Sequence, residues 1–256
     1  MVGGVNLKDI KDALANLKIQ TDLSSINLVG RLDDLQNQIK QMMNNPAMSN
    51  NVFDIDGNSY RIVKYGSQSW MAENLKVSKY RNGDSIPSGL DNNAWSNTTS
   101  GAYAIYNNYN NNDKIIGKLY NWYAVSDERG LCPTGWHVPT FYEWRTLISY
   151  LGGKISYPES QIVAGGKMKS IGTTYWESPN NGATNESGFT ALPGGRRNAD
   201  GSFSDIGYYA LFWGATELNN NLAWLSPVLI YITSLASGES PEPKSNGFSI
   251  RCLKDL

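Results

Sequence analysis

From Val52 onward the apolar spacing changes from helical to short alternating segments separated by Gly, Asn and Asp, and no other feature constrains the fold as much. Alternation with period two puts successive side chains on opposite faces, so each segment reads as a strand. Asp56-Gly57 suits a tight hairpin turn. One stretch breaks this grammar. Pro139-Thr140-Phe141-Tyr142-Glu143 looks like a helix start, with Thr140 capping and Glu143 completing a capping box three residues on. Trp144, Leu147, Ile148 and Leu151 then share a face and Gly152-Gly153 ends it, which predicts a core helix. Asn107 to Asp113, almost all Asn apart from Tyr109, has no apolar period and reads as a surface loop. In a last strand, Phe248, Ile250 and Cys252 share one side while Ser249 and Arg251 share the other, which pins the C-terminus into a sheet.

Before Val52 the spacing is different. Leu7, Ile10, Leu14 and Leu17 step by three and four, as do Leu28, Leu32, Leu35, Ile39 and Met42, so residues 5–43 are expected to be mostly helical. Thr21 and Ser24 fall on the seam and Gly30 interrupts it, giving two short pieces rather than one rod. A stripe this narrow packs on other copies as a coiled-coil stalk, on another protein's groove, or on its own domain; the polar flanks favour packing between chains. Asn44-Asn45-Pro46 stops the helix and Ser49-Asn50-Asn51 reads as a linker. The expected organisation is an attachment segment over 1–50 and a folded domain over 51–256.

With charged residues at 18% and a formal net charge of -1, nothing draws the chain to nucleic acid. No stretch approaches the ~20 apolar residues of a membrane span, so no membrane insertion is expected. The start, Met1 to Asp9, lacks a basic segment followed by an apolar one, so no secretion signal is expected in the chain as given. There is a single histidine, His137, and no Gly-x-Ser-x-Gly elbow, so a hydrolase triad would rest on that residue alone; a satisfied structural histidine is the ordinary expectation. Asp54-x-Asp56-Gly57-Asn58 superficially resembles a calcium loop, but glycine is not at its sixth position and Tyr65 replaces the closing glutamate, so it reads as a turn. Gly165-Gly166-Lys167-Met168 lacks the spacing and the hydroxyl of a phosphate-binding loop. Cys132 and Cys252 lack a Cys-x-x-Cys motif and enough His to complete a zinc site, which leaves a disulfide or two buried thiols.

Several segments share one family frame. Gly130-Leu131-Cys132-Pro133-Thr134-Gly135-Trp136-His137-Val138-Pro139-Thr140 is answered by Asn246-Gly247-Phe248-Ser249-Ile250-Arg251-Cys252. The frame reads on through Asp54 to Asn58, Trp70 to Leu75, Leu119 to Val125 and Asn185 to Gly195. Together these resemble the Fibrobacter succinogenes major paralogous domain. The resemblance implies an α+β, C-type-lectin-like domain of many short strands and loops, here preceded by the helical oligomerisation segment. It also implies that Cys132 and Cys252 lie close together. Structural calcium in loops is known in such folds, but no residue set here places it, and no other cofactor or metal is expected.

The chain departs from the family pattern near its C-terminus. Trp213, Thr216, Glu217, Ala223 and Trp224 match. Tyr208, Tyr209, Leu211, Leu218, Leu222, Leu225, Ser226, Pro227, Leu229, Tyr231 and Thr233 fill positions that vary. This distribution is similar to that of proteins diversified by retroelements, in which randomised template adenines turn Asn codons into Tyr, Leu, Ser, Pro, Ile or Thr. Val228 to Thr233 also reads as a buried strand, a competing account of the same residues. If those side chains are exposed, they and Asn219 and Asn220 form a ligand-binding face, since monomers seldom leave large apolar patches bare.

The resemblance therefore implies a non-enzymatic ligand-binding protein, with a phage tail-fibre tip as the first setting. Its partners would be a host cell-surface protein or glycan, and other tail proteins through the N-terminal helices of a homotrimer. The virion is then its location. A variable binding protein on the bacterial cell surface is the alternative. An enzyme akin to the formylglycine-generating enzymes, using Cys132 or Cys252, is a further one.

Overall fold

The structure is a computed structural model of the 256-residue chain. It describes Leu32, Gln36 and residues 50–108, 114–152, 162–230, 236–237 and 240–256. The expected helical stripe over 5–43 and its Asn44-Asn45-Pro46 stop lie outside the described residues, except that Leu32 and Gln36 are helical and exposed.

Three antiparallel sheets form the frame of the described chain. The first has the order β1 (Asn51–Phe53), β2 (Ser59–Tyr65), β3 (Gln68–Met71), β14 (Leu253–Lys254) and β6 (Trp136–His137). The second is built on β10 (Leu222–Ile230), which pairs with β9 (Tyr209–Glu217), β11 (Ala236–Ser237) and β12 (Ser240–Pro243). The third runs β4 (Tyr103–Ala104), β5 (Leu119–Asn121), β13 (Gly247–Phe248), β7 (Gly194–Arg197) and β8 (Phe203–Ile206). The helices are short: α1 (Asn92–Asn97), α2 (Trp122–Val125), α3 (Phe141–Tyr150) and α4 (Ile162–Met168).

The expected α+β, C-type-lectin-like class is therefore corrected to a mostly β domain, and no coiled coil is present among the described residues. The reason is local. Only α3 combines a 3.6-residue apolar period with a cap and enough length to offset helix nucleation. Elsewhere Gly, Asn and Asp recur every few residues and end each helix early.

Where the sequence signals were strong, the local structure follows them. Thr140 accepts from the Glu143 amide while the Glu143 carboxylate accepts from the Thr140 amide, a complete capping box. Trp144 and Leu147 on α3 are buried, and Gly152 leaves the helix at φ 92°. At the Asp54 turn, Oδ1 accepts from the amides of Asp56 and Asn58, and Oδ2 accepts from Asn58 Nδ2 and Tyr60. That carboxylate is spent on holding a hairpin. Of the expected Asn-rich loop, Asn107 and Asn108 form part of a 3₁₀ turn with φ near +50°, and 109–113 lie outside the described residues.

The single last strand is corrected. Phe248 pairs with Tyr120 in the third sheet, Leu253 pairs with Trp70 and His137 in the first, and the residues between cross the second. There Ser249 exchanges backbone hydrogen bonds with Leu211 and Trp213. Ile250 and Cys252 then accept from the amides of Leu75 and Met71. One extended segment thus ties all three sheets together. Both of its faces are buried, Ser249 and Arg251 included, so the polar side expected from alternation does not exist.

β9 also has two buried faces. Leu211 and Trp213 enter a cluster with Phe248, Trp136 and the two cysteines. Ala210 and Phe212 enter another with Trp70, Trp144 and Phe189. Ring centroids there lie 4.5 Å apart for Trp70–Trp144 and 5.6 Å for Trp144–Phe212. At Gly195, φ is +62° and an added Cβ would lie 2.4 Å from the Ser204 carbonyl oxygen, so only glycine lets β8 approach β7.

Candidate binding surface

The structure divides the residues singled out near the C-terminus. Leu211, Leu225, Ser226, Pro227 and Leu229 are buried; of the run Val228 to Thr233 read as a buried strand, residues 228–230 end the strand Leu222–Ile230 and 231–233 lie outside the described residues. Tyr209 and Leu222 are half-buried. Tyr208, Leu218, Asn219 and Asn220 are exposed, and Tyr231 and Thr233 lie outside the described residues. The exposed members do not form one face. Tyr208 precedes β9 and Leu218 follows it; nine residues of strand at ~3.3 Å each separate them by about 30 Å.

At the Leu218 end an aromatic ridge forms, much of which lies outside the set read from the sequence. The first turn of α3 docks on β9: Ala215 donates to the Pro139 carbonyl, and the Phe141 amide donates to Thr216 Oγ1 at 3.0 Å. This seats Phe141 against Trp224, centroids 5.4 Å apart, with Tyr142 edge-on to Phe141 at 5.4 Å. Tyr142 is 72% exposed. Arg145 lies over the Phe141 ring, 5.3 Å from its centroid.

Trp224 and Leu222 alternate with the buried Ala223 and Leu225, so they face away from the core. Across the ladder they pair with Pro241 and Pro243, both exposed. The prolines lack N–H groups and blunt this edge against a further strand. The adjoining turn is rigid: Asn219 Oδ1 accepts from the amides of Asn221 and Leu222. Lys244, buried over the Trp122 ring, forms an ion pair with Glu217 behind it. Tyr142 carried one signal in the sequence, its position off the Trp144–Leu147–Leu151 face of α3. Its proximity to Trp224 had none, because 82 positions of chain separate the two residues.

The residues considered for chemistry are engaged in the framework. Cys132 and Cys252 are joined by a disulfide with a Cα–Cα distance of 5.9 Å, so neither sulfur is a free thiol. His137 Nδ1 lies 2.6 Å from Asp255 Oδ1 and Nε2 lies 3.0 Å from Glu143 Oε1. The Glu143 carboxylate, chiefly, holds its pKa above the ordinary value, against burial and with help from Asp255. Lys167 pairs with Glu186 at 3.8 Å on a short helix. Among the described residues no group of three or more His, Cys, Asp or Glu converges as metal ligands. No helix among them is long and apolar enough to cross a membrane.

Fold and surface together define a disulfide-braced, mostly β domain with an exposed tyrosine, Tyr142, held on a ridge of packed rings. The chain belongs to the Fibrobacter succinogenes major domain family, whose model matches residues 63–254. No curated protein and no solved structure matches it.

Proposed function

We propose that this protein is a non-enzymatic binding module whose Phe141–Tyr142–Trp224 ridge contacts a protein or glycan on a cell surface. The exposure of Tyr142, seated on a ring stack that the frame already holds rigid, carries the reading. Large aromatic side chains fixed before binding lose little entropy on contact and are the usual anchors of interfaces. The disulfide supports the same reading, since it leaves neither cysteine available as a nucleophile. Leu218, Asn219, Asn220 and Leu222 border the ridge without filling the core, so they are the positions where diversity costs least stability.

The first setting is the receptor-binding tip of a phage tail fibre, on the similarity to retroelement-diversified proteins. The disulfide favours a second, a bacterial cell-surface binding protein, because such bonds persist in oxidising compartments. The test is binding of the labelled chain to cells of the source community. Tyr142→Ser should weaken binding by roughly tenfold or more while the urea midpoint stays near wild type, and Trp224→Ser, which also removes the ring under Phe141, should weaken binding at least as much and lower the midpoint somewhat. Unchanged binding by both variants would remove the ridge from the interaction. Antibody labelling then separates the settings, on tail tips of particles or on intact bacteria.

A further inference from the structure

A concave site lies apart from the ridge, in a cavity of about 380 Å³ between the loops at Ser85–Pro87 and Thr99–Gly101 and the end of α2. It is lined by the hydroxyl-bearing Ser85, Thr99, Ser100 and Ser126, by Tyr123, and by the charged pair Asp127 and Arg129. The volume is at the small end of the range for ligand pockets.

The walls are fixed by one side chain. Asn121 Oδ1 accepts from the amides of Ala102 and Ala124, and its Nδ2 donates to the Ser100 carbonyl at 2.9 Å. It thereby clamps the Thr99–Gly101 loop to α2. Behind the loop, an added Cβ at Gly101 would lie 2.0 Å from the Tyr80 hydroxyl and 2.9 Å from Ala124 Cα, so this close approach requires glycine. Arg129 is held just as firmly. Its Nε and Nη2 reach the two Asp127 oxygens at 2.8 Å each, Nη1 reaches Asp84 at 3.1 Å, and the guanidinium lies 4.0 Å from the Tyr80 ring centroid.

The charges select the ligand. Of the lining residues only Asp127 and Arg129 are charged, and they pair with each other; Asp84, outside the wall, also pairs with Arg129 and leaves the cluster with an excess of negative charge that disfavours an anion. What remains is a set of hydroxyl-bearing residues that both donate and accept hydrogen bonds, the Asp127 carboxylate with lone pairs to spare, and one aromatic ring. That set matches vicinal hydroxyls on a ring with an apolar C–H face. We infer that this cavity binds a neutral saccharide unit. None of its lining residues belongs to the ridge, and the inference holds whatever the ridge contacts.

The test titrates the isotope-labelled full chain with glucose, galactose, mannose and N-acetylglucosamine, following backbone amides by NMR up to roughly 50 mM, because a lone sugar in so small a site is expected to bind with Kd on the order of 1 mM. Saturable shifts confined to Ser100, Gly101 and Ser126 to Arg129 are expected for at least one sugar. Asp127→Asn and Tyr123→Ala should each raise Kd about tenfold, the loss of one charge-assisted hydrogen bond or one stacked face. Ser126→Ala, a change too small to disturb the fold, should raise it less but measurably. Absence of saturable shifts, shifts centred elsewhere, variants equal to wild type, or glucuronate binding more tightly than glucose would each overturn the assignment.

Discussion

Arg251 Nε donates to Asn74 Oδ1 at 2.6 Å, joining the terminal segment to the loop after β3 at a point where both residues are buried. The same guanidinium donates to the carbonyls of Met71, Phe189 and Thr190, and lies 4.3 Å from the Phe189 ring centroid. Burial lowers its pKa to about 9, yet it stays charged at neutral pH, where it is the donor for four acceptors on two separate stretches of the chain. Arg251→Ala leaves those acceptors buried without a partner and should lower the unfolding free energy by about 3–5 kcal/mol. Arg251→Lys cannot reproduce the planar fork and should recover only part of it. Urea denaturation of the two variants measures both.

The Cys132–Cys252 disulfide closes a sequence separation of 120 residues. In the chain-entropy model a loop of that length contributes about 5 kcal/mol through the unfolded state. Cys132→Ala with Cys252→Ala should therefore reduce the denaturant midpoint strongly, and dithiothreitol should lower the wild type toward the double variant while leaving the variant unmoved.

His137, between Glu143 and Asp255, predicts a stability optimum in pH. Burial pushes Glu143 up, but hydrogen bonds from His137 and Thr140 more than offset it and bring the carboxyl to about 2. Its contribution is complete above its ordinary value of 4.5 and fades as pH falls toward 2. The raised His137 contributes fully below its ordinary 6.5 and fades as pH rises through its folded-state value. Both are present together between 4.5 and 6.5. The stability gap between wild type and His137→Gln should be widest near about pH 5.5 and close toward about pH 9. A gap independent of pH would show that His137 acts through packing alone.

The split of the C-terminal residues predicts two classes of variant. Leu229→Ala and Leu211→Ala empty fully packed positions and should each cost about 2–5 kcal/mol. Leu218→Ala and Asn220→Ser change exposed positions at the β9–β10 turn and should fall within about 0.5 kcal/mol of wild type. Thermal unfolding of the four separates core from surface.

The capped helix and the Asp54 turn were legible because their causes are local. Thr140 and Glu143 are three residues apart, and Asp54 meets its backbone partners within four. Tyr142 was half legible, as an aromatic off the apolar face of its helix. Leu211 was not, because alternation alone does not reveal that β9 is covered on both faces, and Leu229 read equally as a buried strand or a binding face until the structure buried it. The cavity beside α2 left no sequence signal: its walls come from three stretches between Ser85 and Arg129, two of which Asn121 ties together.

By itself, then, the sequence determined the elements whose energetics close within a few residues, along with the family frame that Cys132, His137 and Arg251 belong to. Tertiary structure decided which apolar residues are core and which are surface, the mostly β arrangement, and the meeting of Phe141 with Trp224. The physical reason is range. Caps and turns are stabilised by hydrogen bonds between near neighbours in the chain, whereas burial depends on which distant segment lies across the sheet, and here the terminal segment from Gly247 to Lys254, two short strands and the stretch between them, touches all three sheets.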